Sequence, residues 1–87
     1  MKLTKGTILK ARGGWDAEVV WVARKRSDGW ITIEGFYAIH KPGTDNESGP
    51  TAHRPNGVAV GAGTKVYEPP VYSAGHPADL WMGEYEL

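Results

Sequence analysis

Glycine and proline decide what this chain can become. Twelve glycines and six prolines punctuate 87 residues, and between them no window sustains the 3.6-residue apolar period of an amphipathic helix. What remains are short alternating or β-branched stretches bounded by turn residues, the pattern of strands. The sequence predicts strands over residues 7–11, 17–24, 30–39, 57–60, 64–68 and 82–87. Residues 17–24 are apolar at almost every position, so that strand is either covered on both faces or uses one face to bind. Asp28 and Gly29 suit the positive φ angles of a tight hairpin leading into residues 30–34. Gly35 interrupts the run that follows and predicts a bulge or bend, the device by which small barrels turn a corner. Around Pro77 a single helical turn is expected, with Pro at its first position and Asp79 near its positive end.

The architecture these elements predict is all-β: a small SH3-like barrel of five to six short strands with one long polar loop. An OB-type barrel or small β-sandwich is the alternative. Residues 1–87 are expected to form a single domain, since the length has room for one modest core. Within it, residues 41–56 are polar and carry Pro42, Gly43, Gly49, Pro50 and Pro55, and are read as a long flexible or binding loop. Alternation assigns Ile8, Val20, Val22, Ile31, Ile33, Val66 and Leu80 to the core, and Trp81 and Tyr85 to core or interface.

A domain this small buries a limited share of its surface and needs good packing, a staple or a partner. Cysteine is absent, which excludes a disulfide staple and thiolate metal sites. Four Trp, four Tyr and one Phe supply aromatic mass instead, and self-association is the other route. The first residues lack the apolar run of a signal peptide, no stretch approaches a membrane span, and a cytoplasmic setting is expected. Net charge is zero but unevenly spread. Residues 1–41 carry eight Lys/Arg against four Asp/Glu, and residues 42–87 two against six. A uniformly basic, phosphate-seeking surface is thereby excluded, while a dipolar one that meets an acidic partner or a second copy is not.

Strings that resemble chemistry do not hold up on their residues. Residues 60–65 approach a phosphate loop, yet Thr64 precedes Lys65 and strand-forming Val66 and Tyr67 follow, where the loop requires Lys before Ser/Thr and then a helix. Asn46, Glu47 and Ser48 match the glycosylation triplet, which has meaning only in a secreted chain. His40, His53 and His76 lack the spacing of a metal site and are expected to be surface histidines. No nucleophile motif surrounds Ser27, Ser48 or Ser73. No catalytic residue, metal or cofactor is therefore assigned.

A binding surface is left. Lys10, Arg12, Trp15, Trp21, Arg24, Lys25, Arg26 and Trp30 lie on or beside the first hairpin, and aromatic plus cationic side chains serve both protein hot spots and base-stacking platforms. The leading expectation is a small non-enzymatic protein-interaction module, binding a protein partner or itself through this face. A nucleic-acid-binding barrel that uses the basic first half is the alternative, and an enzyme of unrecognised type a remote third.

Overall fold

The computed structural model describes residues 1–23, 34–62 and 75–87. Six strands run through them: β1 (Ile8–Ala11), β2 (Asp16–Ala23), β3 (Gly35–His40), β4 (Pro50–His53), β5 (Ala59–Ala62) and β6 (Leu80–Trp81). All pairings between them are antiparallel, in the order β5-β4-β3-β2-β1-β6. The first five strands follow one another as a meander, and the chain then returns to lay β6 against the free side of β1. No helix occurs among the described residues, and so none that is long and apolar enough to cross a membrane.

The two ends of this sheet approach one another. The Leu80 amide donates to the Gly57 carbonyl at 2.9 Å, and the Ala59 amide donates to Asp79 Oδ1 at 3.0 Å, so the segment entering β5 is tied to the segment entering β6. The result is a nearly closed all-β barrel, as the turn chemistry predicts and consistent with small SH3-like or OB-type barrels. Gly57 makes the seam possible. Its φ is +91°, and a Cβ there would fall on the Leu80 carbonyl oxygen, so only glycine fits both the backbone turn and the close approach.

The barrel interior is filled by Leu3, Leu9, Ala11, Ala17, Val19, Phe36, Ala38 and Leu80, with Trp15, Val22, Met82, Tyr85 and Leu87 packed against them. A second cluster joins Ala23, Ala52 and Val60, with Tyr37 against it. β2 thus contributes to both clusters, which accounts for its nearly unbroken apolar run. The pairing of β2 with β3 shifts register between Val19 and Trp21. Across that bulge the alternation changes phase, so Ala17 and Val19 point inward on one side, and Trp21 and Ala23 share the opposite face on the other.

That phase change corrects part of the expected core. Leu80 is buried, but Ile8 is 51% exposed, because β1 turns Leu9 and Ala11 inward instead. Val20, at the bulge, and Val22 are half-buried. Trp81, assigned to core or interface, is 76% exposed. The long loop is also shorter than expected: residues 50–53, inside the stretch read as loop, form β4 and pair with β3 from Ile39↔Pro50 to Phe36↔His53. Pro50 is tolerated as the first residue of its strand. The closing strand lies at Leu80–Trp81 rather than over 82–87, since Gly83, at φ +55°, and the Tyr85 amide bonded to the Met82 carbonyl turn the chain there. Beyond that turn Glu86 makes a single bridge to Lys2. The turn near Pro77 is present, the Asp79 amide donating to the His76 carbonyl, without continuing as helix. The Asp28-Gly29 hairpin, strand 64–68, and Ile31, Ile33 and Val66 of the expected core lie outside the described residues.

Candidate functional site

Two places in the barrel concentrate chemistry, and they are built in opposite ways. The first closes one end. Phe36, Ala38 and His40 lie on one face of β3 by the period of two, and all three are buried. His53, at the end of β4, is fully buried and stacks on Phe36 with ring centroids 5.2 Å apart. The Nε2 atoms of His40 and His53 are 2.9 Å apart. Trp15 Nε1–H donates to His40 Nδ1 at 2.8 Å, and His53 Nδ1 lies 2.9 Å from the Gly57 carbonyl oxygen.

The two ends of this chain of hydrogen bonds fix its direction. An indole N–H only donates and a carbonyl only accepts. His40 is therefore the Nε2–H tautomer donating to His53, and His53 is the Nδ1–H tautomer donating to Gly57. A proton added to either ring would set two N–H groups against each other. Burial holds both imidazoles below the usual histidine range, and for His40 the nearby Lys41 and His76 act in the same direction. His53 is lowered to about 4, chiefly by burial, with the hydrogen bond to Gly57 and the charge of Asp79 opposing and His40 adding to the effect. Every ring nitrogen of the pair is thus committed to a protein partner, and neither ring has one left to exchange a proton with a substrate. The expectation of surface histidines is wrong for His40 and His53. Their burial follows from β4, which was hidden in a polar stretch.

The second place is the open edge. β6 covers only Lys10 and Ala11 of β1, so Ile8 and Leu9 run past its end. Between β1 and the turn after β6 lies an open groove of about 640 Å³, walled by Met1, Ile8, Leu9 and Lys10 on one side and residues 81–85 on the other. Three of the large apolar side chains exposed among the described residues meet here: Met1 (68%), Ile8 and Trp81. Leu80 faces the core, so alternation turns Trp81 outward. Lys10 and the Met1 α-ammonium, which donates to the Glu84 carbonyl at 2.9 Å, bring positive charge and Glu84 negative, and Lys10 bonds Asp16 at 2.6 Å across the outer face.

Of the residues the sequence nominates for binding, the structure brings Lys10 and Arg12 together beside Trp81 on this edge, where they line a shallow pocket with Asp79 and Leu80. Trp15 is not a free platform: it is half-buried, bonded to His40, and has the Lys41 ammonium 4.5 Å from its ring centroid. Trp21 stands apart, half exposed and tilted against Tyr37 at 5.3 Å. Arg24, Lys25, Arg26 and Trp30 lie outside the described residues. The residues missed are Met1 and Ile8, while Trp81, expected in core or interface, stands exposed at this edge; the signal that places Ile8 and Trp81 is strand phase, since once Leu9 and Leu80 are inward, both are outward. Among the described residues no three His, Asp or Glu side chains gather in a metal-holding group. Comparison of the chain with protein-family models, curated proteins and solved structures finds no match.

Proposed function

We propose that this chain is a small non-enzymatic protein-interaction module that engages its partner through the β1–β6 edge. The observation that carries the proposal is Trp81, 76% exposed beside the 640 Å³ groove. Large apolar side chains clustered at a sheet edge mark an interaction surface or an aggregation hazard, and tryptophan is among the residues most enriched at binding hot spots. Lys10 and Arg12 at the rim favour orientation and encounter rather than affinity. A cytoplasmic setting belongs to the same proposal.

Capture from a lysate with and without nuclease, comparing the unmodified chain with Trp81→Ala and Trp21→Ala, tests it. The partner is expected to be lost with Trp81→Ala and retained with Trp21→Ala. Equal capture by all three would remove the edge from consideration and return attention to Arg24, Lys25 and Arg26. Capture abolished by nuclease and steeply salt-dependent would instead favour nucleic acid held by the basic first half.

A further inference from the structure

We infer that the occupant of the β1–β6 groove is a second copy of this chain, docked about a two-fold axis. The inference rests on the edge being the binding surface and adds what binds there. A two-fold contact is isologous, so whatever lines one wall of the patch must suit the opposite wall in the partner. This groove meets that condition in shape and in charge. Trp81 rises from one wall beside the groove of about 640 Å³, so in a two-fold pair each Trp81 enters the groove of the other copy, giving two aromatic anchors. Lys10 lies on the β1 wall and Glu84 on the facing one, and a two-fold axis through the groove exchanges the walls, so Lys10 of each copy meets Glu84 of the other. Its ammonium has three donors, and one serves Asp16 within the chain.

Charge also argues against a one-signed partner. The edge carries both signs, with the Met1 α-ammonium, Lys10 and Arg12 set among Glu84 and Asp79, where an acidic or basic peptide would call for a rim of a single, opposite sign. The chain as a whole has zero net charge, so two copies meet without overall repulsion. The edge is antiparallel to its neighbour and only two residues long. Addition of a copy shields the exposed run of β1 that β6 leaves uncovered.

Sedimentation velocity across a concentration series tests the inference, with the 9.5 kDa chain expected to approach twice its mass. Lys10→Glu alone and Glu84→Lys alone, each checked for fold by circular dichroism, are expected to weaken association tenfold or more. An equimolar mixture of the two variants is expected to restore it as a mixed dimer, because each then presents the charge the other lacks. Should Lys10→Glu fail to fold beside Asp16, Trp81→Ala and Glu84→Lys carry the test, both expected to be monomeric where the unmodified chain is dimeric. A monomer at all concentrations up to about 1 mM overturns the inference, as does a dimer indifferent to these changes. If that monomer still captures another protein in a Trp81-dependent way, the interaction-module reading stands without self-association. If Trp81 has no effect on capture either, both fail.

Discussion

The closed end and the open edge of this barrel differ in how completely their groups are satisfied. At the closed end Trp15, His40, His53 and Gly57 form a line of hydrogen bonds in which every ring nitrogen is matched. No buried side-chain nitrogen or oxygen among the described residues lacks a partner. At the edge Met1, Ile8 and Trp81 face solvent, and β6 stops short of the strand it covers. Residue types associated with catalysis sit where nothing is left to react, and residue types associated with cores sit where nothing covers them. Unfinished physical chemistry therefore locates function here better than residue identity does.

That comparison is best broken from the closed end. Phe36 is fully buried and supports the His53 ring, so Phe36→Ala is expected to cost about 3–5 kcal/mol in urea denaturation, a large fraction of a small domain's stability. A loss under about 1 kcal/mol would show that this end is not packed as described. Acid comes next. His53 titrates at about 4 in the folded chain against 6.5 ordinarily, so between those values the unfolded chain binds more protons. Stability then rises with pH through that window and is lost as pH falls from 6.5 towards 4, with no further loss from this group below it. The gap corresponds to about 3 kcal/mol, and His40, lowered in the same direction, adds to it. Denaturation series at pH 7.5, 5.5 and 4, with imidazole titration by NMR, check both the slope and its assignment; a flat profile would contradict the buried neutral pair.

A subtler cut is Trp15→Phe, which keeps an aromatic ring and deletes the donor to His40 Nδ1. Leaving that nitrogen unmatched is expected to cost about 1–3 kcal/mol and to raise the proton affinity of His40, which NMR titration reads directly. The smallest effect sharpens the comparison from the other side. Trp81→Ala is expected to change the stability of the isolated monomer by no more than about 0.5 kcal/mol while removing binding. A loss of several kcal/mol would mean that Trp81 belongs to the scaffold.

Much of the fold was legible because it rests on local pattern. The β-branched run in β2, the short strand of β1 and the glycine turns all follow from residue type and from backbone freedom. The inward and outward sides were not legible, because one bulge at Val20 reverses the phase of β2 and no residue type marks a bulge unambiguously. β4 escaped for a different reason: Pro50 and Ala52 are poor strand formers, Thr51 alone favours the extended backbone, and β3 beside them supplies the pairing. With β4 missed, nothing placed His53 beside His40. Lys10 and Arg12 were nominated for their charge, whereas their neighbour Trp81 is distant in sequence and reaches them only through the last pairing of the sheet.

That last pairing governs when the binding edge comes into being. Neighbouring strands such as β3 and β4 close loops of about ten residues, while β6 meets β1 only after about seventy, an additional closure cost of roughly 1.7 kcal/mol on the logarithmic scaling of loop entropy. The hairpins of the meander are thus favoured to form early, and the edge to assemble late in folding. Since one wall is Met1, Ile8 and Lys10 and the other is residues 81–85, a chain still being synthesised has half a groove, and a truncated one never completes it. Partner binding through this edge would then report that residues 81–85 have been made and that the barrel has shut around them.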